Sequence, residues 1–155
     1  MADSENRYVE IAIDHPGHRG IIIPVAELSE TIKRHTGPLF RTLYSFDEEI
    51  LKHFEIRKTI KNYRGSYYLD QIILDIDKGD NTDEHTHEKT KDVIDRMINE
   101  YELDPNSIKP WFSGTGYHIA IPDIFGLEPG NNLPEIVKST MQHYFPESDN
   151  IYDGS

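Results

Sequence analysis

Two carboxylates, Asp75 and Asp77, stand one residue apart at the end of Leu69–Gly79, the most apolar strand-like run in an otherwise polar chain. With a strand period of two, Ile72, Leu74 and Ile76 share one face, and Gln71, Ile73, Asp75 and Asp77 share the other. Side chains two apart on a strand start about 6.5 Å from each other. At that separation two carboxylates can hold one divalent ion between them, and their hard oxygens suit Mg²⁺ or Mn²⁺. The same pair also fits a purely structural use, as two polar residues leaving the core and bonding to the following turn.

A second cluster lies further on, at Phe112-Ser113-Gly114-Thr115-Gly116-Tyr117-His118-Ile119. Two glycines and two hydroxyls in a tight turn between strands can present backbone N–H and side-chain O–H groups to phosphate oxygens. His118 falls on the polar side of its strand, where a protonated imidazole can pair with phosphate. Taken alone, the loop reads equally as a hairpin turn and the histidine as structural. Taken with the carboxylate pair, it completes the ingredients of metal-dependent phosphoryl or nucleotidyl transfer. The two-metal form of that chemistry usually needs a third carboxylate. The run from Asp83 to Glu88 also holds metal-ligand residue types, but adjacent residues in the first turn of a helix point in different directions. Phe54, Tyr63, Tyr67 and Tyr68 are read as packing residues, with base stacking as their other use. His15 and His18 are read as loop residues.

The elements that must position these groups follow from periodicity and punctuation. Tyr8–Ile13 and Gly20–Ile23 read as strands around an Asp14-His15-Pro16-Gly17 turn, and 26–35 as a short helix ended by Gly37-Pro38. Leu39–Tyr44 reads as one strand. Ser45, followed by Asp47, Glu48 and Glu49, resembles the start of a helix over 46–53. After the central strand, Asn81 and Glu84 have capping-box spacing. Val93, Ile94, Met97, Ile98 and Tyr101 predict a helix over about 84–102. Strands at 108–112 and 117–121 and a helix at 133–144 complete the pattern.

The chain of 155 residues suits a mixed α/β (α+β) protein with a real core. It divides at the sequence level into an N-terminal α/β module (1–66) and a partial RNA-recognition-like, or ferredoxin-like, module (67–155) that carries both motifs. It has no cysteine, which excludes disulfides, thiolate nucleophiles and cysteine-based metal centres. No apolar run approaches membrane-spanning length, and residues 1–20 lack the apolar centre of a signal peptide. The expectation is a soluble, non-secreted protein with no membrane partner. The net charge of −12 opposes general attraction to nucleic acid. Its distribution is uneven: 31–66 carries +4 while 67–155 carries −12. Bound divalent metal would offset part of the acidic segment.

Leu74-Asp75-Ile76-Asp77 and Ser113-Gly114-Thr115-Gly116-Tyr117-His118 resemble the first and second motifs of the archaeo-eukaryotic primase superfamily, which includes the small primase subunits and the primase-polymerases of phages and plasmids. The motifs are in the family's order, with 36 residues from Asp77 to Ser113, and the resemblance spans roughly 38–153. It implies a DNA primase or primase-polymerase catalytic domain, a metal-dependent nucleotidyltransferase that builds a strand on a single-stranded DNA template. Asp75, Asp77 and, from Ser148-Asp149-Asn150-Ile151-Tyr152, Asp149 would hold two Mg²⁺ or Mn²⁺ ions. One ion would activate the attacking 3′-hydroxyl, and the other would support the leaving pyrophosphate. Ser113, Gly114, Gly116 and His118 would bind the nucleoside triphosphate, with Arg41 and Arg64 as further nucleotide or template contacts.

The implied partners are nucleoside triphosphates, the DNA template, and a replicative helicase or a further primase segment or subunit. The implied place is the cytoplasm, that of the host for a phage protein, with association to the nucleoid. Two features depart from the family pattern: the chain stops six residues after Asp149, before the arginines that would follow, and the second motif has no lysine or arginine. The expectation is therefore a fragment that could lack activity alone. Two other readings of the same residues are a non-catalytic nucleic-acid-binding or replication-assembly module and a metal-dependent phosphohydrolase or nuclease. The first would normally show aromatic residues on its open sheet face, where Asp75, Asp77 and His118 are expected instead.

Overall fold

The computed structural model describes residues 6–146 and the short strand Asn150–Ile151. The described residues form a mixed α/β fold with several helices and two small antiparallel sheets, as the sequence predicts at that level. The chain divides into two compact units, one running through Leu69 and including Glu128–Leu133, the other comprising Asp70–Leu127 and the residues from Pro134. No helix among the described residues is long and apolar enough to cross a membrane.

The first unit contains β1 (Tyr8–Ile13), β2 (Ile21–Pro24), α1 (Leu28–Arg34), β3 (Leu39–Arg41), β4 (Tyr44–Phe46), α2 (Glu49–Arg57) and β5 (Tyr67–Leu69). Its sheet runs β2-β1-β4-β5, with β3 pairing along β1. Val9, Ile11, Phe46 and Ile50 are among its buried apolar side chains. The single strand expected over Leu39–Tyr44 is two strands, and Thr42 is the cause. Its N–H donates to the Glu10 carbonyl at 3.0 Å, and its hydroxyl oxygen accepts from the Glu10 N–H at 3.3 Å. A side-chain oxygen thus takes a ladder position and bends the strand.

Ser45 does not start a helix but lies buried in β4, and α2 begins four residues later. Asp47 is occupied elsewhere, accepting from the Tyr63 hydroxyl and, at 3.0 Å, from the Ser66 N–H. Tyr63 and Tyr67 pack rather than project: Tyr63 lies edge-on to Phe46 at 5.8 Å, and the Tyr67 hydroxyl donates to the Tyr63 carbonyl. Tyr67 also pairs both ways with Gly130, which ties that loop to this unit.

The second unit contains β6 (Ile72–Asp77), α3 (Asp83–Asn99), β7 (Lys109–Phe112), β8 (Gly116–Ile121), α4 (Leu133–Tyr144, from Pro134 onward) and β9 (Asn150–Ile151). Its sheet order is β7-β8-β6-β9, every neighbouring pair antiparallel. Pro110, which cannot donate to a ladder, sits on the edge strand β7. Ile72, Leu74 and Ile76 are all fully buried. At about 1.5–3 kcal/mol for each such side chain, they fix which face of β6 turns inward. A one-residue slip would reverse every side chain, so the orientation of Asp75 and Asp77 follows from their apolar neighbours.

Helix α3 lies against β6 and β8 and buries Thr86, Thr90, Val93 and Met97, a stripe at helical spacing. Its cap is Thr82, not Asn81: the Thr82 hydroxyl accepts from the His85 N–H at 3.0 Å. Asn81 instead closes the preceding turn, donating its N–H to the Lys78 carbonyl. Thr82→Ala is expected to destabilise the chain by about 1 kcal/mol, read as a lower urea midpoint at unchanged slope.

At the far end of the same helix, Arg96 donates to the Tyr144 carbonyl at 2.9 Å, and its guanidinium lies 5.9 Å from the Phe145 ring. A cation on the last carbonyls of α4 favours that helix end, and Phe145 itself is fully buried. Arg96→Met keeps the aliphatic stem and removes the charge. It should cost about 1–2 kcal/mol, measured in the same denaturation experiment.

Candidate functional site

The site is built on the face of the second sheet that β6 turns away from its apolar core. Asp75 is half-buried and Asp77 exposed, as the alternation with Leu74 and Ile76 requires. The antiparallel register sets His118 of β8 directly opposite Asp75, and Gly116 opposite Asp77. Opposed residues on one face have Cβ atoms only about 5 Å apart, so the imidazole and the carboxylate meet. His118 Nε2 lies 3.4 Å from Asp75 Oδ1, both side chains largely sheltered at 17% and 27% exposure. That distance exceeds a good hydrogen bond but allows charge pairing when the imidazole is protonated.

The loop between β7 and β8 closes on itself. The Ser113 N–H donates to the Gly116 carbonyl at 2.8 Å, and the Gly116 N–H donates to Ser113 Oγ at 3.1 Å. The Gly116 amide is therefore used inside the hairpin. Ser113 accepts with one lone pair and retains its hydroxyl proton as a donor. The Lys78 N–H reaches the Thr115 carbonyl at 3.1 Å, fastening the end of β6 to the hairpin.

Two glycines are required here. Gly114 has φ +102°, open to glycine and strained for other residues. At Gly116 an added Cβ would press into the Ile76 carbonyl oxygen, with the Asp77 Cα 3.0 Å away. The absence of a side chain lets β8 approach β6 where the carboxylates sit. Lys78 pairs with Asp83 of α3 at 2.9 Å, which directs its ammonium toward the helix start.

Asp75, Asp77, Ser113, Gly114, Gly116 and His118 thus share one sheet and one hairpin. Arg41 and Arg64 belong to the first unit. The Arg41 Nε donates to the neighbouring Thr42 carbonyl at 2.9 Å, and Arg64 is exposed in the loop before β5. Asp149 lies outside the described residues. Among the described residues, no three histidine, aspartate or glutamate side chains converge as a metal cluster. In the run after Thr82, Thr86 is buried, while His87 Nδ1 lies 3.3 Å from the Tyr117 hydroxyl, so these residues contact different neighbours.

Trp111 is the residue that motif reasoning passed over. It pairs with His118 across β7 and β8, its ring centroid 5.2 Å from the imidazole at 87°, and it is 42% exposed. The available signal was its place as the chain's sole tryptophan, two residues before Ser113. The face that bears Asp75 and His118 therefore also carries an exposed aromatic, while Ile73 and Ala120 on the same face are buried. No protein-family model matches the chain, and neither a curated protein nor a solved structure matches it.

Proposed function

We propose that this chain is the catalytic part of a DNA primase or primase-polymerase, transferring nucleotides from nucleoside triphosphates onto a strand templated by single-stranded DNA. The observation that carries the reading is the register Asp75–His118 and Asp77–Gly116. It sets a carboxylate pair and a hydroxyl- and glycine-bearing hairpin at the same end of one sheet. The strand order β7-β8-β6-β9 with α3 and α4 in their chain positions supports an RNA-recognition-like, ferredoxin-like module.

The donor set fits Mg²⁺ or Mn²⁺. Mg²⁺ is commonly held by one or two carboxylates together with substrate phosphates and water, rather than by an all-protein cage. Asp75 and Asp77 supply two such carboxylates, and Asp149 is proposed as the third. When bound, the ions would polarise the phosphoryl group and favour ionisation of the attacking hydroxyl. The chain's own residues bind and orient. Asp75 and Asp77 set the position of the reacting phosphate, while protonated His118 and the Ser113 hydroxyl donate to the triphosphate oxygens. The imidazole is in turn held by its contact with Asp75. Arg41 and Arg64 are proposed as further contacts to nucleotide or template, and a helicase or further primase segment as a partner. The proposed setting is the cytoplasm, near the nucleoid.

A non-catalytic nucleic-acid-binding module is the second reading, favoured by exposed Trp111 on the sheet face. It leaves Asp75 and Asp77 unexplained, because carboxylates repel a phosphate backbone unless a cation lies between them. The test is synthesis of labelled oligonucleotides from nucleoside triphosphates on single-stranded DNA. Product that requires both this chain and Mg²⁺ or Mn²⁺ is expected. DNA binding that is insensitive to divalent metal, with no product under either ion, would favour the second reading.

A further inference from the structure

We infer that Trp111 is the stacking platform for the base of a nucleotide whose phosphates lie at Asp75, Asp77 and His118. The inference rests on the nucleotide-binding reading of that site. Tryptophan is seldom left open to water on a small domain, yet this one is 42% exposed on the edge strand β7. Exposed Phe112, next to it in the chain, falls on the opposite face of β7 by strand alternation. The neighbours of Trp111 on its own face, by register, are Lys109, His118 and, one strand further, Asp75. A flat aromatic surface surrounded by charged and hydrogen-bonding groups suits a flat ring with polar edges better than an aliphatic partner.

The spacing fits the same ligand. Trp111 and Asp75 are separated by the width of β8, two inter-strand spacings or about 9.5 Å. A ribose holds base and phosphates apart in the same manner, so one nucleotide can lie across the three strands with its base on β7 and its phosphates toward β6. His118, edge-on to the indole and 3.4 Å from the carboxylate, occupies the middle of that path. The indole recognises any base by its π face, so the subsite is expected to favour nucleotides without strong preference among bases.

Because Trp111 is the sole tryptophan, its fluorescence reports on this position alone. The experiment titrates the wild-type chain, Trp111→Leu, Trp111→Phe and Asp75→Asn with ATP and, separately, with inorganic tripolyphosphate, each with Mg²⁺. Binding is read by calorimetry, and indole emission is followed in the two proteins that retain Trp111. The expected result has three parts. ATP, but not tripolyphosphate, quenches wild-type emission. Trp111→Leu weakens ATP binding roughly 5- to 100-fold while leaving tripolyphosphate affinity unchanged, and Trp111→Phe recovers most of the loss.

Asp75→Asn should weaken both ligands. Unchanged ATP affinity in Trp111→Leu, or equal weakening of both ligands, overturns the stacking role while Asp75→Asn still reports on the phosphate site. If wild type binds neither ligand, or Asp75→Asn leaves both affinities intact, the nucleotide-binding reading fails and the stacking inference fails with it.

Discussion

Asp75→Asn is expected to reduce metal-dependent nucleotidyl transfer by roughly 10³-fold or more, equivalent to about 4 kcal/mol of transition-state stabilisation. Asparagine keeps the shape of the side chain and one acceptor oxygen but removes the charge that an ion requires. It also removes the charge facing His118 at 3.4 Å. The fold should hardly respond. A partly solvated pair of this kind contributes at most about 1 kcal/mol, whereas Leu74 and Ile76 on either side are fully buried and keep β6 in place. The check is a paired measurement of product formation and of the urea midpoint. Loss of activity at nearly constant stability is the expected pattern. A folded variant that stays active would remove Asp75 from the chemistry.

Gly116→Ala should have the largest effect on stability of any single-methyl change in the hairpin, about 3 kcal/mol or more. Overpacking against flexible side chains costs about 1–3 kcal/mol, but here the added carbon meets the Ile76 carbonyl oxygen and the Asp77 Cα, which are backbone. Relief requires β8 to move away from β6, opening the pairing of Asp77 with Gly116 and then that of Asp75 with His118. Gly114→Ala is the comparison. No atom lies within 4 Å of its added carbon, and only the left-handed backbone is disfavoured, at about 1 kcal/mol. Chemical denaturation of both variants gives the answer, and equal losses would mean that the close approach of the strands is not what glycine at 116 provides.

Some of this architecture was legible in the residues and some was not. The inward face of β6 could be read at its C-terminal end, where Leu74 and Ile76 alternate with Asp75 and Asp77, whereas Ile73, on the same face as the two aspartates, is itself buried. Helix α3 could be read because Val93 and Met97 continue a helical period. These are patterns repeated along one element. What failed depended on single side chains acting on backbone elsewhere. Thr42 breaks β3 from β4 through Glu10, which is distant in sequence, and Asp47 answers Tyr63 and Ser66 rather than the helix that follows it. Asn81 and Thr82 are both good capping residues, and only the geometry of the preceding turn chooses between them.

Of the site, residue types suggested chemistry and the expected module put Asp75, Asp77 and His118 on one sheet face, but the exact register was invisible in one dimension. Neither the opposition of His118 and Asp75 nor the position of Trp111 beside them follows from spacing, because both depend on the register in which β6 and β7 pair with β8. The internal use of the Gly116 amide was likewise hidden. A loop rich in glycine and hydroxyls does not reveal which of its N–H groups its own turn consumes.

The most direct measurement is Mn²⁺ binding followed by electron paramagnetic resonance, with and without a nucleoside triphosphate, in the wild-type chain and in Asp75→Asn combined with Asp77→Asn. The wild-type chain is expected to take up Mn²⁺, the nucleotide to strengthen the uptake, and the double substitution to abolish the nucleotide-dependent component. Mn²⁺ uptake of unchanged stoichiometry and affinity in the doubly substituted chain would contradict the proposed metal site.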